Sequence, residues 1–484
     1  MASKASPLPR AALAAIALAT GCAPGPQPLD RSVMPAAAPD PAVDFPHIRR
    51  HTLSNGLQVW LVERPRAPNV TAQLIVHAGA LADPADMPGL ASMTVAMLNE
   101  GTAARSAEQL SDEMGFLPAW VFGVAEQEAA SISVNVLPRN FDPALELLAD
   151  VVANATFPDS AWPRVQGQRL ASLLQSGAQA YVLATQQLQR ILYGEAHPLG
   201  RPASGTPESI RAATPAALRA FHRRHYRPGN SHLIVVGNIS PTRTLAQVER
   251  VFGRWDRGGA GEPAAPADPA PLQGTRVYLV DKPGAPQSEI RIGHAGVPRA
   301  HRDYFPLLVM NTILGGQHSS RINLNLRESK GYSYGARSAF QMGRLAGPFA
   351  ASAGVETRVT REAIVELMRE MEDIRGARPV TQEELDLART SIIRREPLTL
   401  ETNTQIASRI RDIVLYGLPV DYFDDYNKRV AAVTRDDVNR VAREYLQPSR
   451  AAIVVVGDRT AIEGPLRELP YPVEVVTAPH RGGN

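Results

Sequence analysis

Two periodicities alternate along this chain, and then the same succession begins again. Residues 57–63 and 72–78 are dominated by β-branched and apolar side chains in short runs and read as strands. Apolar positions three and four apart then predict helices over 107–114, 143–155, 163–193 and 215–225. Residues 231–237, with Leu233 to Val236 apolar, predict a buried strand near the end of the first half. Farther along, helical spacing returns at 304–313, 361–375, 382–395, 404–416 and 435–445. Strands mixed with helix pairs, one sheet to each half, predict an α+β fold of two domains.

The halves also repeat in sequence. Val59-Trp60-Leu61-Val62-Glu63-Arg64-Pro65 aligns with Val277-Tyr278-Leu279-Val280-Asp281-Lys282-Pro283. Val76-His77-Ala78-Gly79 aligns with Gly293-His294-Ala295-Gly296, and His232 to Asn238 aligns with Ala452 to Asp458. A nearly constant offset across all three matches implies duplication of a whole domain. The stretch RGGAGEPAAPADPAP, with almost no large apolar residue, lies between the copies. It places an interdomain linker at 257–272, an N-terminal domain at 47–256 and a C-terminal domain at 273–478.

Composition adds a location. The formal charge of the 484 residues is +3, and Lys4 and Arg10 supply two of those units in a basic segment ahead of an apolar run at 11–20. That pattern is an export signal over 1–22, too short to span a bilayer. Without it the chain is close to neutral, which argues against a nucleic-acid partner. Cys22 is the single cysteine. Its Gly21-Cys22 setting is similar to a bacterial lipoprotein cleavage site, which implies a lipidated N-terminus on a periplasmic protein; the alternative is ordinary signal cleavage. One cysteine also rules out an internal disulfide and a cysteine-ligated metal. Residues 23–46, rich in Pro and Ala, read as a flexible tether.

Several phrases in order carry a family resemblance: Leu53-Ser54-Asn55-Gly56-Leu57, His197-Pro198-Leu199-Gly200, Gly205-Thr206-Pro207-Glu208-Ser209-Ile210 and Tyr226-Arg227-Pro228-Gly229-Asn230. With the internal repeat, the chain resembles the pitrilysin/insulinase (M16) peptidases over about 51–476. The resemblance implies two homologous domains forming a clam-like chamber. It also implies where a zinc helix should stand, with the motif His-x-x-Glu-His. In the matching segment GLASMTVAMLNEGT those three positions are Ser92, Val95 and Ala96. Residues i and i+4 share one helix face, so two histidines there could hold one metal; Ser92 and Ala96 cannot. Val95 cannot act as a base. The family's third ligand, a glutamate, falls near Ser172, and 161–194 contains no Asp or Glu. No His-x-x-Glu-His occurs elsewhere in the chain. The expectation is a chain without its own zinc.

Other histidines offer no substitute. His222 and His225, three apart, read as an aromatic and basic helix end with no acidic partner nearby in sequence. His77 and His294 hold matching repeat positions, which implies a shared packing role. His318 lies in a Gly-rich loop lacking the Lys-Ser/Thr of a phosphate cradle.

The second half keeps Leu326-Arg327-Glu328-Ser329-Lys330-Gly331-Tyr332-Ser333-Tyr334, similar to the family's Arg/Tyr segment. By that resemblance Arg327 and Tyr334 reach the substrate beside a zinc, where a guanidinium or phenol stabilises the developing oxyanion. Some M16 enzymes pair a zinc subunit with one that lacks zinc. The expectation is therefore a zinc-less, substrate-binding subunit of a periplasmic heterodimeric peptidase. Its partner would carry the zinc motif, unfolded peptides would be its substrates, and Arg327 and Tyr334 would act in trans. The alternatives are a stand-alone, membrane-anchored peptide-binding or assembly module, and an active peptidase with a site of another kind.

Overall fold

The computed structural model describes residues 43–256 and 266–477. The export signal, Cys22 and most of the tether lie outside these residues, as do 257–265 of the linker. Two six-stranded sheets organise the rest. The first contains β1 (Arg49–Thr52), β2 (Gln58–Glu63), β3 (Val70–Val76), β4 (Phe122–Ala125), β5 (Ala130–Val136) and β6 (Ser231–Gly237), in the order β1-β2-β6-β3-β5-β4. The second contains β7 (Arg276–Asp281), β8 (Gln287–Ala295), β9 (Ser333–Met342), β10 (Ala346–Glu356), β11 (Ala452–Gly457) and β12 (Val473–Val476), in the order β12-β7-β11-β8-β10-β9. The aligned phrases become matched strands, β2 with β7, β3 with β8 and β6 with β11. The copies share one parallel pair, β2/β6 and β7/β11, beside an antiparallel run, and the second sheet adds a further parallel pair, β7/β12. The fold is α+β with two homologous domains.

The two domains exchange helices. The periodicity predicts one helix over 163–193; the structure breaks it into Trp162–Gly177 and Ala180–Tyr193, with Gln179 extended between them. The break redirects the second piece onto the other domain. Leu183, Leu188 and Leu192 pack against Val280, Val454 and Val456 of the second sheet. Reciprocally, the Asn403–Tyr416 helix lays Ile406, Ile410 and Ile413 in one cluster with Trp60, Val62, Ile75, Ile234 and Val236 of the first sheet. The opposite face of that sheet, with Val59, Leu61, Ala72 and Leu74, is covered by its own helices. Burial on both faces is why β6 from Leu233 to Val236 and β11 from Ala452 to Val456 are continuously apolar. Neither sheet is fully covered without the other domain's helix.

The crossing is also fixed by polar contacts. Asn403, buried, donates through Nδ2 to the Asn69 carbonyl at 2.8 Å and accepts from Arg64 at 3.0 Å. At the N-terminal end Phe45 is buried and stacks on Phe423 with ring centroids 5.4 Å apart. The folded unit thus already includes Phe45, inside the stretch read as tether.

The strands β4, β5, β9 and β10 are absent from the sequence expectation. β9 and β10 are built mainly of Ala, Ser and Gly, β4 is only four residues long, and β5 alternates Ile132, Val134 and Val136 with polar residues beside it.

Candidate functional site

The helix that carries Ser92, Val95 and Ala96 has a firmly held start. Leu90–Met97 forms the helix, and the buried Asp83 carboxylate accepts from the N–H groups of Gly89 and Ala91, both at 2.7 Å. Burial pushes Asp83 up to about 7, against the pull of those two bonds and of Arg201. Gly89 sits at φ +91°, and a Cβ there would lie 2.6 Å from Gly205 Cα, so the helix start and the 205–210 phrase meet backbone to backbone. Thr206 caps the Pro207–Ala212 helix, and Ser209 Oγ donates to the Pro88 carbonyl at 2.7 Å. One family-like phrase is thereby explained: it clamps the start of this helix.

On that frame Ser92 is half-buried, Ala96 is exposed and Val95 is 7% exposed. Val95 packs on the edge strand, where a Cβ on Gly123 would come within 2.6 Å of Val95 Cγ1. Ser172 is exposed on the Trp162–Gly177 helix, which packs beside Leu90–Met97. These four side chains offer two hydroxyls and no imidazole, carboxylate or thiolate, a donor set that does not fit zinc. Among the described residues no three His, Cys, Asp or Glu side chains gather as metal ligands.

The other histidines are packed into the fold. His222 donates through Nε2 to the Val152 carbonyl at 2.7 Å and lies between Phe157 and Tyr226. His225 stands 4.4 Å from the Phe221 ring. His294 stacks on Phe349, donates to the Ala295 carbonyl and accepts from the Gln447 N–H. His77 meets His232 edge-on at the end of β3. Burial lowers His77, His222, His225, His232 and His294 each to about 4.

In the second domain the structure brings Arg327 and Tyr334 together. Arg327 lies on a π-turn, Leu324–Ser329, a wide helical turn often found at functional sites. Tyr334 begins β9 and is 91% exposed. The Arg327 guanidinium carbon is 5.0 Å from the Tyr334 ring centroid, a cation–π distance. Both line a cleft of about 560 Å³ between the π-turn, the 315–318 loop and the sheet. His318, which the sequence assigns only to a loop, reaches Arg327 with Nδ1 3.4 Å from Nη1, and Glu328 lies 3.3 Å from Arg327 Nε.

Buried polar groups hold this arm. Arg321 forms a two-point pair with Glu384, both contacts at 2.6 Å. Asn325 donates to Glu366 at 2.9 Å and to Glu370 at 2.7 Å, and Glu370, 1% exposed, is neutralised by Arg378. Asn323 donates to the His318 carbonyl and accepts from the Ala336 N–H, tying the loop to β9. Gly315 approaches β9 so closely that a Cβ would fall 2.3 Å from the Ser338 nitrogen. The sequence singles out Arg327 and Tyr334 but not Asn323, Asn325 or Glu370, whose roles arise only from partners distant in sequence.

Residues 58–206 match the family description "Insulinase (Peptidase family M16)", and residues 212–392 match "Peptidase M16 inactive domain". The chain belongs to the M16 peptidase family. It is 25% identical to an uncharacterised zinc protease of Streptomyces coelicolor over 86% of this chain and 91% of that one. It is 22% identical to a probable mitochondrial-processing peptidase subunit beta of Arabidopsis thaliana, over 91% of this chain and 84% of that one. Among solved structures, a peptidase M16 inactive domain from Pseudomonas fluorescens superposes with a TM-score of 0.79 at 27% identity, covering 85% of this chain and 98% of that one. A protease from Helicobacter pylori has the same fold, with a TM-score of 0.79 at 19% identity over 86% of this chain and 100% of that one. The architecture is that of the clam-like M16 structures.

Proposed function

We propose that this M16 chain is the zinc-less, substrate-binding subunit of a heterodimeric metallopeptidase, lending Arg327 and Tyr334 to the zinc site of an M16 partner that carries His-x-x-Glu-His. The observation that carries the reading is the contrast between the two domains. The zinc-motif positions Ser92, Val95 and Ala96 hold no ligand, while Arg327 and Tyr334 are brought together at an open cleft and held there by buried groups. A tyrosine 91% exposed contributes little to the core, and an exposed cation–π pair contributes about 0.5–1 kcal/mol. Their chemistry suits a peptide carbonyl and the oxyanion that develops on it. The zinc, the activated water and the base belong to the partner. The export-signal pattern and the Gly21-Cys22 setting support a periplasmic location for the pair, with this chain on a lipid anchor.

The test is reconstitution. The mature chain alone should contain no zinc and hydrolyse no peptide, and mixing it with the zinc-bearing M16 chain should restore hydrolysis. A zinc partner that is fully active without this chain would sink the reading, as would stoichiometric zinc in the chain itself.

A second reading, a membrane-anchored peptide-binding module without a catalytic partner, draws on the first sheet's open edge. Phe122 and Val124 on β4, with Trp120 just before it, are exposed beside unpaired strand backbone. An extended peptide can add to such an edge as a further strand. Capture of the tagged chain from its own periplasm separates the two: a co-purifying zinc peptidase supports the heterodimer, and a solitary, inactive, peptide-binding chain supports the module.

A further inference from the structure

The cleft beside Arg327 has a floor that oxyanion chemistry does not explain. In the register of the second sheet, Arg337 of β9 stands opposite Ser352 of β10, and Ser352 stands opposite Arg291 of β8. Residues directly opposite in neighbouring strands point to the same face, so these three form a row across the cleft floor, Arg–Ser–Arg. Arg291 is 8% exposed and is neutralised by Glu289. Arg337 is exposed and has no carboxylate partner among the described residues. Only Ser352 separates the two arginines along the row. Gly335 and Gly354, which also line the cleft, leave the surface beside it without side chains. Above the floor stands Arg327, with Glu328 and His318 at the rim. Arg291, Arg327 and Arg337 therefore outnumber the two carboxylates, Glu289 on the floor and Glu328 at the rim.

Guanidinium groups on a floor of small residues, with a hydroxyl between them, match a planar anion. The fork of an arginine pairs in two-point fashion with a carboxylate. We propose that this cleft receives a carboxylate of the bound peptide, held by Arg337 and Arg327 over the Ser352 hydroxyl. It is either the peptide's C-terminal carboxylate or an Asp or Glu side chain. The inference rests on the reading of the chain as a peptide binder and adds the class of peptide: one with an acidic group just beyond the segment that Tyr334 and Arg327 contact.

The test uses the full mature chain and three versions of one short labelled peptide, followed by fluorescence anisotropy. One version has a free C-terminus and no acidic residue, one is amidated with a single glutamate, and one is amidated with no acid. The neutral version should bind at least about tenfold more weakly than the better of the other two, the size expected of one charge-assisted pair. Which acidic version keeps the affinity tells a C-terminal carboxylate from a side chain. Arg337→Ala, on an exposed position, should bring the better binder down to the neutral one while leaving the neutral one unchanged. Equal binding of all three, or an acidic preference that survives Arg337→Ala, overturns the carboxylate site and leaves the peptide-binding reading standing. Failure of every version to bind overturns both.

Discussion

The helix Leu90–Met97 and the segment running from Tyr304 to Ser329 fill the same interval of the duplicated fold, between the matched strands β3 and β8 and the matched edges β4 and β9. In the first domain the interval keeps its frame, the Asp83 cap, the Gly89–Gly205 contact and the Ser209 clamp, and has apolar or small residues where ligands would project. In the second domain the interval is built of π-turns and buried ion pairs, and it holds Arg327 against Tyr334 near the start of β9. Side chains that hold a backbone and side chains proposed to perform chemistry thus come apart. A frame without ligands still folds. An arm that nothing in the fold requires to be exposed is what the proposed role in a partner's site would need.

The sharpest way to break that comparison is to remove the arm. Arg327→Ala should lower the reconstituted peptidase rate about 10²- to 10³-fold, the effect of losing one oxyanion donor, without dissociating the subunits. Tyr334→Phe should have a smaller effect, because the ring that stacks on Arg327 remains. Wild-type rates in both variants would remove the in-trans role. The converse experiment refills the frame. Ser92→His with Ala96→His and Ser172→Glu restores two imidazoles at i and i+4 and an acid on the neighbouring helix. That variant should bind zinc in calorimetry where the wild type does not. A folded variant that fails to bind zinc would mean that more than ligand identity has been lost.

Much of this was legible in the chain. The duplication, the paired strands β2/β7, β3/β8 and β6/β11, and the helices ending at His225, Arg395, Tyr416 and Tyr445 follow from periodicity, because large apolar residues mark them. β4 escapes it because it is only four residues long, and β9 because its open edge is built mainly of small and polar residues. The helix exchange is invisible for another reason: an apolar face looks the same whether it packs on its own sheet or on the neighbour's. Arg327 and Tyr334 are legible through resemblance, and Arg337, Ser352 and Arg291 become neighbours only when three strands take one register.

The next effect is on stability. Asn325→Ala leaves Glu366 and Glu370 without their shared donor beneath the π-turn. Loss of one partner in a buried network costs about 1–3 kcal/mol, measurable by urea denaturation. Because the π-turn fixes the direction of Arg327, reconstituted activity should fall by more than the stability loss accounts for under conditions where the variant is fully folded. A variant that is destabilised yet fully active would separate the network from the arm.

The smallest effect compares the two carboxylates at the helix starts, Asp83 in the first domain and Asp303 in the second. Burial raises Asp83 to about 7, whereas Arg440 and Tyr445, both 2.6 Å away, hold Asp303 down to about 2. The signs are opposite. The folded state binds the Asp83 proton more tightly than the unfolded chain does, so this contribution to stability is complete below about 4 and is lost as pH rises through 7. Asp303 contributes stability above about 4, lost as pH falls through 2. Asp83→Asn should therefore flatten the part of the stability curve that declines between pH 4 and 7, by at most about 1.4 kcal/mol for each pH unit of that window. Asp303→Asn should lower stability throughout that window and leave its slope unchanged. Over the same range the five histidines held near 4 act in the opposite direction to Asp83, so acidification below 6.5 costs stability in every variant. The informative quantity is thus the difference between variant and wild type at each pH. A difference for Asp83→Asn that does not change from pH 4 to 7 would mean that the carboxylate is ionised throughout. The helix N-terminus would then outweigh burial, and the start of the Leu90–Met97 helix would rest on a charged carboxylate.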